Sequence, residues 1–144
     1  FLSRKDLVKL TPIEFKKWCT SFMERSGYYN VVQDNFSSIT NNNYFYCRKD
    51  NVRYYVLCHL TEEKDEKEDD YEEFSRSQFQ RFIGTLEHDR ISHGIILTTG
   101  DLSKDSIGYF NSIPKRFHIE VIDGINLNKA YRKLRNKEVY LSIQ

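Results

Sequence analysis

The 144-residue sequence has few cysteines and no long apolar run, and each shortage argues against a class of protein. Its three cysteines, Cys19, Cys47 and Cys58, are odd in number and irregularly spaced, which favours a reducing compartment over a disulfide framework. No apolar run approaches the roughly 20 residues of a membrane-spanning helix, and there is no signal-peptide pattern. We therefore predict an intracellular protein with no membrane partner, for which the nucleus or nucleoid is a compatible compartment.

The sequence also lacks internal repeats, and it begins at Phe1 instead of a methionine. Its length and its apolar fraction of 39% suit a single domain with one core, over residues 1–144. The start at phenylalanine predicts that this domain has been excised from a longer protein.

A net charge of only +1 conceals a strong asymmetry along the chain. Residues 62–73 contain nine acidic residues and two lysines, a local charge of −7, so the rest of the chain carries +8. The acidic loop, residues 61–73, is most simply a solvated loop, but it could also bind a basic protein partner. The candidate partner-binding residues are Glu62, Glu63, Asp65, Glu66, Glu68, Asp69 and Asp70.

Basic residues concentrate near the C-terminus, in a predicted last helix that runs from its cap Asp123 to about Arg135. Lysine and arginine on one helix can neutralise phosphates, so this distribution permits contact with nucleic acid. The candidate nucleic-acid-binding residues are Lys129, Arg132, Lys133 and Arg135. The tail Glu138–Gln144 alternates apolar and polar residues, which predicts an edge strand or a homodimer through this segment.

Hydrophobic periodicity predicts the element order helix, three strands, helix, strand, helix, strand, helix. Thr11, Pro12 and Glu14 form a capping box before the first helix, and Gly27 ends it. The later predicted elements are strands Tyr28–Gln33, Tyr44–Arg48 and Val52–Leu60, helix Phe74–Glu87, strand His93–Thr99, helix Ser103–Phe110 and strand His118–Ile122. This order indicates an α/β sandwich in which an antiparallel meander continues into parallel strands.

One glycine lies inside a predicted helix. Gly84 costs that helix roughly 1 kcal/mol in propensity, so we expect a structural reason for it. Close packing of the helix against a strand would supply that reason.

Several motifs resemble the Mrr-type restriction endonuclease domain, a branch of the PD-(D/E)xK nuclease superfamily. They are the opening segment LTPIEFKKWCTSFMERSGY, Leu10–Tyr28, the strand HGIILTT, and the strand IEVIDG followed by Leu127. The resemblance covers nearly all of residues 10–135. It implies a restriction-endonuclease-like three-layer sandwich, with a mixed central sheet of about five strands flanked by helices.

The resemblance also implies where a nuclease site would lie, and the required side chains are missing there. The family's metal-binding aspartate corresponds to Asn43 in TNNNYFYC. The family's Gln or Glu, and its Lys two residues later, correspond to Leu57 and His59 in YVLCHL. The family's glutamate in the first helix is replaced by Lys16. We expect Asn43, Leu57 and His59 to lie close together at one end of the sheet.

These replacements remove the chemistry of phosphodiester hydrolysis. The superfamily uses Mg²⁺ held by carboxylates, whereas asparagine carries no charge and leucine offers no oxygen. The sequence therefore predicts a catalytically inactive pseudonuclease without a cofactor, which binds DNA or a protein as a scaffolding module of a larger assembly. The alternative is an active Mrr-like, Mg²⁺-dependent DNA endonuclease with a rearranged site, to which Asp34 could contribute a carboxylate.

Two further patterns have a simple structural interpretation. Cys47, Cys58 and His59 could suggest zinc, but they lack a Cys-x-x-Cys pair, and strand alternation sends Cys58 and His59 to opposite faces. Buried structural cysteines are the simpler interpretation. Four tyrosines in two neighbouring strands could stack nucleic-acid bases, although cross-strand packing is the simpler interpretation. They are Tyr44, Tyr46, Tyr54 and Tyr55.

Overall fold

The structure, a computed structural model, describes residues 3–33, 40, 42–62 and 71–142. One mixed sheet has its five strands in chain order: β1 (Tyr29–Gln33), β2 (Asn42–Lys49), β3 (Val52–His59), β4 (His93–Thr98) and β5 (His118–Ile122). The helices are α1 (Arg4–Val8), α2 (Pro12–Arg25), α3 (Arg76–Asp89), α4 (Lys104–Ser112) and α5 (Gly124–Ser142). Helices cover both faces, which confirms the predicted α/β sandwich. Within the described ranges, no helix is long and apolar enough to cross a membrane.

Helix α2 begins and ends where its sequence signals predict. The Thr11 hydroxyl accepts a hydrogen bond from Glu14 N at 3.2 Å, and the Glu14 carboxylate accepts one from Thr11 N at 2.9 Å. This exchange satisfies two backbone donors, while Pro12 occupies the first helical position. Gly27 then takes the chain out of the helix at φ 98°, a conformation that favours glycine.

Strands β2 and β3 form a tight hairpin that leads into the parallel part of the sheet. Asp50 and Asn51 connect them with φ values of 53° and 65°, which is typical of a two-residue turn. The pairing then runs without a shift from Lys49↔Val52 to Asn42↔His59. Strand β3 pairs in parallel with β4, and β4 with β5, so the predicted meander and crossovers are confirmed.

Alternation along β3 divides its side chains between two cores. Val56, Cys58 and Leu60 pack against what we call the first layer, helices α1, α2 and α5. Tyr55 and Leu57 pack against the second layer, helices α3 and α4. All three cysteines are buried in the first of these cores as free thiols. The predicted separation of Leu57 from Cys58 is therefore confirmed.

Close packing of a helix on a strand occurs at Gly94, although the prediction assigned it to Gly84. A Cβ atom on Gly94 would lie 2.7 Å from the Phe82 ring and 3.2 Å from Leu86, so α3 approaches β4 directly over this glycine. Gly84 lies on the exposed side of α3, where a Cβ atom would meet nothing within 4 Å. The predicted reason for Gly84 is therefore wrong, and nothing in the structure explains it.

The two ends of the chain differ from the prediction. Helix α1 is not predicted from periodicity because it is only five residues long, although Ser3 and Asp6 form a capping box. Helix α5 continues to Ser142, so the predicted edge strand Glu138–Gln144 is wrong over its described residues. The Arg25 guanidinium holds Glu138 by hydrogen bonds of 2.6 and 2.9 Å, which fixes this turn against α2. The homodimer stays a prediction, now without the strand that motivated it.

Candidate functional site

The C-terminal edge of the sheet, where β3 and β4 end, is where the resemblance implies a nuclease site. His59 ends β3 directly beside Thr98 of β4. Leu57 lies two residues earlier and is 2% exposed in the core of the second layer. Both side chains face that layer, as predicted from alternation, so the two degenerate positions of β3 form one face of the candidate site.

His59 is a buried neutral histidine whose ring nitrogens are both engaged. Its Nδ1 lies 2.6 Å from Thr98 Oγ1, its Nε2 lies 3.1 Å from Gln78 Nε2, and the ring is 5% exposed. Because the Gln78 amide donates to Nε2, the proton is on Nδ1 and is donated to Thr98. The Phe74 ring closes the pocket at a centroid distance of 5.2 Å. Burial lowers the pKa of His59 to about 4, so the ring carries no charge near neutrality.

Asn43 lies at the same end of the sheet as Leu57 and His59, as predicted, but its side chain is on the opposite face and does not join theirs. It pairs with Cys58, and directly paired residues point to the same side of a sheet. Its amide nitrogen donates to Thr40 O at 2.6 Å, and its side-chain oxygen accepts from Thr40 N at 3.4 Å. Asn43 is therefore a turn-closing residue at the start of β2.

The β2 residue that faces Leu57 is Tyr44, a position that the sequence analysis did not assign to the site. It pairs with Leu57, and its ring stacks on Tyr55 with centroids 4.9 Å apart and 15° between the planes. Burial raises the pKa of Tyr44 above its ordinary value. The signal was in the hairpin: a two-residue turn at Asp50 and Asn51 forces residue 44 to lie opposite residue 57.

The other strand tyrosines also pack against neighbouring side chains. Tyr46 lies 5.0 Å from Tyr55, between ring centroids, and its hydroxyl donates to Asp89 at 2.9 Å. Tyr54 meets Tyr28 edge to face at 5.1 Å. The cross-strand packing interpretation of these residues is therefore confirmed.

The side chains at the candidate site do not fit the Mg²⁺ ion that the fold family implies. Mg²⁺ requires hard oxygen ligands, usually carboxylates. Tyr44 offers a phenol, Leu57 a hydrocarbon and His59 a buried imidazole whose nitrogens are already hydrogen-bonded. Across the described part of the chain, no three His, Cys, Asp or Glu residues form a group that could hold a metal. Asp34, the candidate for a migrated carboxylate, lies outside the described residues.

Polypeptide covers this edge of the sheet from outside. The Arg4 guanidinium of α1 donates to Thr99 O at 2.7 and 2.9 Å and to Asp101 at 2.7 Å, and it lies 3.6 Å above the centre of the Tyr71 ring. The chain after the acidic segment also binds here, because Asp101 N donates to Glu72 O at 3.0 Å. The Arg4 side chain and the backbone at Glu72 thus cover the C-terminal end of β4.

Both described ends of the acidic loop meet the same edge. Thr61 N donates to Thr99 Oγ1 at 2.9 Å on one side, and the bridge between Glu73 and Asp101 lies on the other. Glu62 is exposed at the first end. The remaining candidate partner-binding residues lie outside the described residues: Glu63, Asp65, Glu66, Glu68, Asp69 and Asp70.

The basic residues of α5 lie on its solvent side, as the candidate interface requires. Four apolar residues of the helix pack inward onto the first core: Leu127, Ala130, Tyr131 and Leu134. Lys129, Arg132 and Lys133 are exposed and recur at helical spacing, Lys137 continues the stripe, and Arg135 is exposed beside it. Lys137 is absent from the candidate set, although its spacing from Lys133 could have revealed it.

The positive charge extends beyond α5 over the first layer. Helices α1, α2 and α5 together carry ten basic and four acidic residues, a net charge of +6. Helices α3 and α4 of the second layer carry three of each and are neutral. We call the first layer the basic layer from here on, because its charge is the main electrostatic asymmetry of the described chain.

Comparison with known proteins identifies the family. A family model described as a restriction endonuclease, that of the Mrr catalytic domain, matches residues 7–131. This match spans every described strand and helices α2, α3 and α4, together with the last two residues of α1 and the first eight of α5. The searches of curated proteins and of solved structures gave no match. The match covers most of the chain and agrees with its mixed five-stranded sheet; the chain belongs to the Mrr-type restriction endonuclease family.

Proposed function

We propose that this chain is a catalytically inactive member of its family, which uses the nuclease fold to bind nucleic acid through the basic layer. The surroundings of His59 are the observation that supports the loss of catalysis. A catalytic lysine would have to present a charged ammonium to the phosphate, whereas His59 is buried, neutral and hydrogen-bonded at both nitrogens.

The neighbouring positions support the loss of catalysis. A metal-dependent nuclease polarises the phosphate and generates hydroxide with an ion held by carboxylates. The side chains that share the face of His59 are those of Tyr44 and Leu57, and neither is a carboxylate that could hold such an ion. On the other side of the sheet, Lys16 of α2 occupies the position that the resemblance assigns to the family's glutamate, and it adds a cation instead of a ligand.

Charge supports nucleic acid as the partner. A surface with a net charge of +6 attracts phosphates, and bound phosphates release condensed counterions. The proposed contacts pair lysine and arginine with phosphates, which carry no sequence information, so we expect binding independent of sequence. A basic protein bound by the acidic loop is the competing partner, and the deletion described in the Discussion distinguishes the two.

The purified domain is expected to leave duplex DNA, single-stranded DNA and RNA intact with either Mg²⁺ or Mn²⁺ present. The physical reason is the missing carboxylate ligands at the face of His59. The measurement is a gel assay with end-labelled substrates, run beside an authentic metal-dependent nuclease as a positive control.

Three variants decide the origin of any cleavage. Cleavage lost in Tyr44→Phe, Asp34→Asn or His59→Gln, with the fold preserved by circular dichroism, would contradict the proposal and support the rearranged nuclease. Cleavage that all three variants retain would contradict the proposal if it co-purifies with the chain, and would be a contaminant if further purification removes it.

A further inference from the structure

A cavity of about 370 Å³ opens between α2 and α5, above the first-layer face of the sheet. Its floor is apolar and is built from Phe22, Met23, Ile95, Ile122, Ala130 and Leu134. Pockets of this size with apolar walls and a few polar groups are typical small-molecule sites. It is remote from the His59 face, because Ile95 and Ile122 face the first layer and His59 the second.

The opening of this cavity is positively charged. Lys49, Lys133 and Lys137 line it, against the single carboxylate of Glu120. Lys49 is held in place, since its ammonium donates to Ser26 O at 3.3 Å and lies 4.8 Å from the centre of the Tyr28 ring. In the described part of the chain, neither Lys133 nor Lys137 forms an ion pair, so both ammonium groups remain available to an anion.

Apart from the hydroxyl of Tyr28, the interior of the cavity offers little to a polar ligand. The Ser26 hydroxyl already donates to Phe22 O at 2.7 Å. A ligand that placed hydroxyl or amide groups among the floor residues would leave those groups without hydrogen-bond partners. Each such group would cost roughly 2 to 7 kcal/mol of binding free energy. The body of the ligand must therefore be apolar, and its charged end must lie at the opening.

We propose that this cavity binds a small amphipathic anion, an apolar chain ending in a carboxylate, with its head group between Lys133 and Lys137. The apolar floor takes the chain and the surplus of two positive charges at the opening selects the anion. The floor of the cavity belongs to the core and not to the solvent face of α5, whereas Lys133 at its opening is also a proposed nucleic-acid contact.

Decanoate is the probe, with decanol and decyltrimethylammonium as uncharged and cationic counterparts. In ¹H–¹⁵N NMR titrations of the whole chain, decanoate should shift the amide signals of Ile95, Ile122 and Ala130. It should bind about tenfold more tightly than decanol, as expected for one favourable charge contact near the surface. The cationic amphiphile should bind more weakly than decanol.

Variants distinguish a specific binding site from nonspecific binding of amphiphiles. The double variant Lys133→Gln with Lys137→Gln should weaken decanoate about tenfold and leave decanol unchanged. Ala130→Phe should fill the cavity and abolish both. Lys129→Gln, which removes one charge from the solvent stripe of α5 outside the cavity, should change neither.

Three results would overturn the proposal: no shift at the cavity residues, equal affinity for all three amphiphiles, or a loss in Lys129→Gln that equals the loss in the double variant. Ala130→Phe affects packing, but the lysine variants lie at the surface and keep the test valid if that variant does not fold.

Discussion

Replacing Lys129, Arg132, Lys133 and Arg135 with glutamine should lower the affinity for duplex DNA by about a hundredfold or more at physiological salt. Each lysine or arginine that neutralises a phosphate contributes on the order of 1 kcal/mol, through counterion release. The same change should reduce the slope of log K against log salt by about four units. Fluorescence anisotropy with a labelled duplex, measured over a range of salt concentrations, gives both quantities. Two unrelated sequences should give equal affinities.

The second layer provides a control that matches the change in charge. Replacing Arg76, Arg81, Lys104 and Arg116 with glutamine removes four positive charges from the second-layer side and should change DNA affinity far less. If both quadruple variants lose affinity equally, binding follows net charge, and the proposed interface on α5 is wrong.

The acidic loop gives an independent test of partner class. Deleting residues 62–70 should strengthen DNA binding if the loop repels phosphate within a Debye length of about 8 Å. The same deletion should weaken binding to a basic protein if the loop is a docking site. These two outcomes have opposite signs, and unchanged affinity for both partners would show that the loop is only solvated.

Acidification from about pH 7 to about pH 4.5 should destabilise the wild-type chain by about 2 kcal/mol more than the His59→Gln variant. In the folded state the pKa of His59 is about 4, below the unfolded value of 6.5. The unfolded chain therefore binds more protons between these two values, and stability falls as pH is lowered through this window. The cause is burial, since the contacting side chains Thr98, Gln78 and Phe74 carry no charge.

The measurement is urea unfolding at several pH values, followed by circular dichroism. His88→Gln serves as the control because that histidine is 89% exposed and lies outside the core. His59→Gln keeps a polar side chain opposite Thr98 and Gln78, so it removes the titrating group with the least disturbance. If wild type and His59→Gln lose the same free energy of unfolding on acidification, protonation of His59 is not the cause of the acid sensitivity.

Local signals in the sequence were enough to predict most of the fold. The capping box at Thr11 and Glu14 fixes the start of α2, and the 3.6-residue stripe behind it identifies the buried face. The strand His118–Ile122 is predicted with its observed bounds. Such features depend on neighbouring residues alone, which is why periodicity and capping chemistry are sufficient.

The end of α5 and the close packing of α3 on β4 were predicted poorly because they involve contacts between residues far apart in sequence. Glu138 at the end of α5 pairs with Arg25 of α2, more than a hundred residues away in sequence. Gly94 is required because the Phe82 ring crosses β4 at that point, whereas Gly84, the more conspicuous glycine, touches nothing. A pattern within one element carries no information on such contacts.

The position of the candidate residues at one end of the sheet was predicted from the sequence, whereas the face occupied by Asn43 was not. Leu57 and His59 share a face because alternation within one strand is a local property. Assigning Asn43 to that face requires the register between two strands, and a shift of one residue reverses every side chain. Tyr44, the residue after Asn43, pairs with Leu57 and therefore lies on the face of Leu57 and His59.

Mn²⁺ titration by NMR tests most directly whether the metal site of the family has been lost. Mn²⁺ favours the same oxygen ligands as Mg²⁺ and broadens the signals of nearby nuclei. We predict that the amide signals of Tyr44, Leu57 and His59 broaden no more than those of exposed residues on α4. Selective broadening of these three signals at low Mn²⁺ concentration, reversed by excess Mg²⁺, would contradict the account and identify an active metal centre.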